Sequence, residues 1–256
     1  MDMVLPIVAT LKHLNQRGGI VPIDHSLTYT TWRLKNIPHR VRLRAILKQT
    51  AIFLASRGRP TDLYADFGCS NGFITSKIVN ILEPNRATGF DHAEENLSIA
   101  RRRYSNITFL NIDLNRPRSF AKKFDVVTCF ETLEHVGDVR NAVNTIIGAI
   151  EDGGVALIVV PIEHGLIGLV KLFVKLLHGY NLDELANNER RVSLKAYLMS
   201  LLTGRRMSAF RDRARRGWGT HFGFDYRDVS DALADLPVTY RSFRIGFNMF
   251  YRITKP

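Results

Sequence analysis

Three residues close together, Glu131, Glu134 and His135 in the segment ETLEHV, have side chains that could move a proton or hold a cation. If the segment opens a helix they stand at i, i+3 and i+4, on one face. Two carboxylates and an imidazole there could act as a base towards an acceptor hydroxyl, which places Glu131 and His135 among the catalytic candidates. They could also bind a divalent ion, with Mg²⁺ or Mn²⁺ favoured by the carboxylates and Zn²⁺ allowed by the histidine. A plainer reading is that the acids stabilise a helix amino terminus and the histidine lines a pocket. A second histidine, His221 in THFGFDYRD, is a candidate to join them, although a lone histidine near a helix start is more often a cap or a packed residue.

These side chains need a scaffold, and the stretch from Leu63 to Asp91 describes one. Leu63, Tyr64 and Ala65 form an apolar strand ending at Asp66, and Gly68 and Gly72 lie in the turn that follows. From Phe73 to Leu82 apolar residues recur at helical spacing. Ala87 to Phe90 is a second strand, closed by Asp91 about 20 residues after the turn, where an acid can accept hydrogen bonds from ribose hydroxyls. The turn reads acid-x-G-x-S-x-G, from Asp66 through Gly68 and Ser70 to Gly72, and not the G-x-G-x-x-G of dinucleotide enzymes. Phe124 to Phe130 is a nearly continuous β-branched and aromatic run that fits a central strand, so the acidic segment after it should face a ligand.

This turn resembles motif I of the class I S-adenosylmethionine (SAM) methyltransferases, with Ser70 where the usual middle glycine stands. The resemblance implies an α/β fold: a seven-stranded, mostly parallel Rossmann-like sheet with a helical insertion after strand 5 and a helical amino-terminal extension. It implies SAM as cofactor, held by Asp66, Gly68, Ser70, Gly72 and Asp91, with Phe130 assigned to the same side. Family members place an acid beside the adenine after the third strand, which points to Asp113; a turn cap is the alternative for that residue. The E-x-x-E-H station is similar to that of ubiquinone-biosynthesis O-methyltransferases and of small-RNA 3′-end 2′-O-methyltransferases. In the RNA enzymes a later histidine completes a metal site, so the implied ligand set is Glu131, Glu134, His135 and His221.

One domain is expected over residues 1–256: an extension and leading helix at 1–59, a cofactor-binding core at 60–161, a helical insertion at 162–222, and a helix with a closing strand pair at 223–256. The extension carries Trp32, Arg33 and Lys35, read mainly as an anchor. Within the insertion, Gly165 to His178 is apolar apart from Lys171, Lys175 and His178 at i, i+4 and i+7. It reads either as a lid helix with outward lysines or as a helix lying in an anionic membrane interface. The ubiquinone enzymes have a membrane-contacting segment at this place. Arg205, Arg206, Arg211, Arg213, Arg215 and Arg216 then crowd a short region that could bind lipid phosphates. RNA phosphates would use the same arginines, but no aromatic-rich RNA-binding motif accompanies them.

A net charge of +12 implies attraction to phosphate-bearing partners without choosing among them. Cys69 and Cys129 are the only cysteines; they exclude a disulfide framework and suit a reduced compartment. No signal peptide or spanning helix is read, so a cytoplasmic location is expected, with any membrane contact peripheral on the inner face. The acceptor is expected to be a membrane-associated or lipid-linked small molecule or saccharide. An RNA 2′-O-methyltransferase using a metal is the enzyme alternative, and a non-catalytic SAM-fold protein that binds a membrane or partner is the alternative of another class.

Overall fold

The computed structural model describes residues 25–30, 36–55, 57–177, 179, 192–211 and 221–256. Trp32, Arg33, Lys35, His178, Arg213, Arg215 and Arg216 lie outside these residues. In chain order the elements are α1 (His25–Thr30), α2 (Ile37–Ala55), β1 (Leu63–Phe67), α3 (Phe73–Leu82), β2 (Arg86–Asp91), α4 (Glu94–Arg103), β3 (Thr108–Asn111), β4 (Phe124–Phe130), α5 (Val139–Gly148), β5 (Ile150–Pro161), α6 (Gly165–Leu177), α7 (Leu194–Thr203), a 3₁₀ turn (Met207–Phe210), α8 (Arg227–Ala234), β6 (Thr239–Ile245) and β7 (Asn248–Thr254).

The seven strands form one sheet in the order β3-β2-β1-β4-β5-β7-β6. β1 to β5 are parallel, and β7 returns antiparallel to both β5 and β6. The expected fold is therefore present. Every residue of β1 and β4 is buried, which explains their unbroken apolar runs: a central parallel strand has helices on both faces. α5 and α8 cover one face through Val143, Ile146, Val229 and Leu233. On the other face Ile46 of α2, Ile78 of α3 and Leu97 of α4 pack together.

Two local expectations change. Residues 131–138 form turns, not the start of a helix; α5 begins at Val139, where the Asp138 side chain accepts a hydrogen bond of 2.9 Å from the Asn141 amide. The triplet Asp152-Gly153-Gly154, whose residue types predict a turn, lies inside β5 as an irregularity in its pairing with β4. Gly153 there has φ 74, and bonds between Gly153 and Lys255 and between Lys255 and Gly154 tie it to the chain's end.

The insertion builds its own small core of Leu172, Tyr197, Leu201, Met207 and Phe222. No helix among the described residues is long and apolar enough to cross a membrane.

Candidate active site

The strand order reverses between β1 and β4, the place where open α/β sheets bind ligands beyond their strands' carboxyl ends. Phe67 lies opposite Cys129 in this pair, so the turn after β1 and the loop after β4 leave the sheet at one level. The two segments touch. A Cβ on Gly68 would sit 1.9 Å from Thr132 Oγ1, and Gly68 has φ 80, so its place admits only glycine. Gly72 has φ 76 and would press a Cβ to 2.8 Å from the Phe109 ring. Ser70 also occupies the left-handed region, at φ 49, which is why a glycine is the usual residue there.

The acid after β2 organises this turn. Asp91 accepts from the Ser70 amide at 2.8 Å and from the Ala93 amide at 2.9 Å. A carboxylate has about four acceptor positions, and with His92 Nδ1 3.5 Å from Oδ1 at most two remain for a diol. Ser70 Oγ is buried without a partner. This orphan hydroxyl, the two glycines and the oriented carboxylate fit the ribose end of a SAM molecule.

Other expected cofactor residues sit differently. Asp66 is 3% exposed, accepting from Thr75 Oγ1 at 2.6 Å and Thr128 Oγ1 at 2.7 Å. Burial raises its carboxyl to about 6 against the pull of those two hydroxyls. Its oxygens are thus engaged inside the protein, where they hold α3 to β4. Phe130 is a buried member of the core beside Cys69 and Tyr64. Asp113 accepts from the Asn115 amide at 2.9 Å and from its side chain at 3.1 Å, in the turn-capping role.

The loop after β4 sends the three candidate residues to different partners. Glu131 has φ 51 and points its carboxylate at the Arg42 guanidinium and at Asn248, whose Nδ2 donates at 2.6 Å. Burial raises its carboxyl, with Arg42 the main opposing influence. Glu134, His135 and His221 instead converge, each offering one ligand atom within 4.8 Å of the others. Glu134 is fully buried and neither of its oxygens has a hydrogen-bond partner. Burial, and next the neighbouring Glu131, push its carboxyl well above the ordinary range.

The two imidazoles face each other with Nε2 atoms 3.1 Å apart and ring planes at 82°. Two nitrogens bound to one ion at about 2.1 Å would be separated by about 3.0 Å at a right angle and about 3.4 Å at the tetrahedral angle. An orphaned buried carboxylate beside such a pair therefore fits a divalent cation. Glu131, expected as a fourth ligand, lies outside this group because Arg42 and Asn248 hold it.

His221 is positioned by its own short segment. Phe222 stacks on Tyr197 of α7 at 4.4 Å, while Phe224 enters the main core. Gly223 between them has φ 73, and a Cβ there would meet the Arg211 backbone at 2.8 Å. Arg211 in turn donates to the carbonyls of Glu134, at 2.8 Å, and Val136. It braces the acidic loop. Arg206 likewise pairs with Asp228 and Asp231 of α8.

Four contributors were not singled out from the sequence as site residues: Arg42, Asn248, Glu163 and Lys171. Glu163 follows β5 at a strand's carboxyl end, a position that could have identified it. Arg42 is one cation among several on α2, and Asn248 one polar residue in a closing strand; neither carries a local signal.

Comparison with known proteins agrees with this geometry. A family profile described as a methyltransferase domain matches residues 39–229. The ubiquinone biosynthesis O-methyltransferase of Erwinia tasmaniensis is 34% identical over 95 residues, covering 35% of this chain and 38% of the relative. That of Haemophilus ducreyi is 31% identical over 99 residues, covering 35% and 41%. The match thus spans about two fifths of these curated relatives' length. Magnesium protoporphyrin IX methyltransferase from Synechocystis, solved with S-adenosylhomocysteine, shares the fold with a TM-score of 0.55 at 15% identity, over 90% of this chain and 92% of that one. With three quarters of its length matched by one profile, the chain belongs to the methyltransferase domain family, of the SAM-dependent class I type.

Proposed function

We propose that this protein is an O-methyltransferase acting on a hydroxyl of a membrane-associated or lipid-linked small molecule or saccharide. The observation that carries the reading is the Glu134–His135–His221 cluster, two of whose members lie in the loop after β4 that packs on the glycine turn through Thr132. Methylating an alcohol or phenol requires removal of its proton, and the cluster offers the bases to receive it.

When bound, SAM supplies a methyl group already activated by a sulfonium. The protein's task is then alignment. Gly68 and Gly72 let the backbone approach the cofactor, Asp91 accepts its ribose hydroxyls, and His135 or His221 takes the acceptor's proton. A divalent ion, if held by Glu134, His135 and His221, would lower the pKa of an acceptor hydroxyl. Without one, burial favours the neutral form of the Glu134 carboxyl.

The lipid-linked acceptor is supported by the insertion. Leu166, Val170, Phe173, Val174 and Leu177 of α6 are all exposed and recur on one helical face. Nearby on α7, Met199 and Leu202 are exposed as well. An apolar face of this kind on a basic protein suits the surface of an anionic bilayer, where a lipid-linked acceptor resides.

The test is transfer of tritiated methyl from SAM to a bacterial lipid extract presented in anionic vesicles, to a soluble catechol, and to small RNA. Label in the lipid fraction, lost with Asp91→Ala, supports the proposal. Label confined to RNA 3′ ends and dependent on a metal would replace it with the RNA alternative. Tight cofactor binding with no transfer to any acceptor would favour a non-catalytic role.

A further inference from the structure

Glu163, which follows β5, meets the cluster from behind. Its Oε1 lies 3.3 Å from His221 Nδ1, the ring atom turned away from His135, and 2.8 Å from Lys171 Nζ on α6. Its side chain is only 11% exposed. α6 is pressed close at this point: a Cβ on Gly168 would fall 2.3 Å from the Glu163 carbonyl oxygen and 2.8 Å from Leu201. Lys171 also reaches the Ile162 carbonyl at 3.4 Å, so the helix holds the strand end through both the Glu163 side chain and the adjoining backbone. This corrects the expectation of a lysine stripe facing solvent or lipid, since Lys171 turns inward.

We infer that Glu163, braced by Lys171, is a positioning residue that holds His221 in the Nδ1-protonated form with Nε2 presented to His135 and Glu134. The inference rests on the proposed role of His221 in the site. A carboxylate acceptor at Nδ1 settles which ring nitrogen carries the proton. It leaves the other as a lone-pair donor, whether its partner is an acceptor proton or a metal ion. Because Lys171 belongs to the helix that carries the exposed apolar face, seating of α6 and orientation of His221 depend on one another.

The tautomer can be read directly by long-range ¹H–¹⁵N correlation on histidine-labelled protein, with His221 assigned by comparison with His221→Gln. In wild type the proton is expected on Nδ1. Glu163→Ala should lose that preference, and Glu163→Gln, whose Oε1 can still accept the bond, should restore it. In parallel, calorimetric titration with Co²⁺ should show affinity falling about 10–100-fold in Glu163→Ala. Lys171→Met should shift both readouts in the same direction and serves as the test if Glu163→Ala fails to fold, judged by lost S-adenosylhomocysteine binding.

A proton on Nε2 in wild type, or a Glu163→Ala variant with unchanged tautomer and Co²⁺ affinity, overturns the inference. Wild type that binds no Co²⁺ but shows the expected tautomer pattern removes the metal from the proposed function while the role of Glu163 stands.

Discussion

Replacing Glu134 with glutamine should stabilise the metal-free protein and abolish its stabilisation by metal. The side chain is fully buried, its oxygens have no hydrogen-bond partner, and its carboxyl is held well above its ordinary value near 4.5. Above that value the native state keeps a proton that the unfolded state releases. Native stability therefore falls as pH rises, by about 1.4 kcal/mol per unit until the folded pKa is reached. At pH 7 the penalty is at most about 3–4 kcal/mol, and an isosteric neutral amide escapes most of it. In EDTA, Glu134→Gln should accordingly melt about 3–8 °C above wild type, a gap that closes as the pH approaches 4.5.

A divalent cation should reverse the order, because wild type gains about 2.7 kcal/mol at a hundredfold excess over Kd and the variant does not. The assay is thermal denaturation of both proteins across pH, with EDTA and with Mn²⁺ or Zn²⁺. A variant less stable than wild type in EDTA would show that the carboxylate is well solvated or paired after all. Equal responses to metal would remove the cation site.

Other substitutions probe the remaining parts. Asp91→Ala should weaken S-adenosylhomocysteine binding at least about 100-fold by calorimetry, the lower end of the value of two charge-assisted hydrogen bonds; unchanged affinity would displace Asp91 from the ribose. Gly68→Ala should destabilise the fold by a few kcal/mol in denaturant and prevent cofactor binding, since its Cβ would overlap Thr132; a neutral outcome would mean the turn relaxes freely. Arg42→Met should cost about 3–5 kcal/mol at neutral pH by stranding the buried Glu131 carboxylate, and less in acid, where Glu131 is protonated. Leu166→Glu with Phe173→Glu should cut sedimentation with anionic vesicles at least several-fold while leaving S-adenosylhomocysteine affinity unchanged; retained sedimentation would refute the part assigned to α6.

Much of this protein is determined locally and is therefore legible in its sequence. The apolar runs of β1 and β4, the helical spacing of Phe73 to Leu82 and the glycines at 68 and 72 each reflect a constraint acting within a few residues: a two-sided burial, a helix face, a left-handed turn. Together they specify the sheet and the place of the cofactor. The partnership of the acids and histidines is a different kind of fact. Spacing in ETLEHV suggested one helical face, yet the left-handed backbone at Glu131 sends that residue to Arg42 and Asn248, 89 and 117 positions away in sequence. Glu134 and His135 meet His221 only because Phe222 and Phe224 anchor its segment in two separate cores. Lys171 reads as a surface lysine until the close packing at Gly168 brings it onto Glu163. Which charges become partners depends on how distant elements are stacked, and that is decided by the packing of the whole chain.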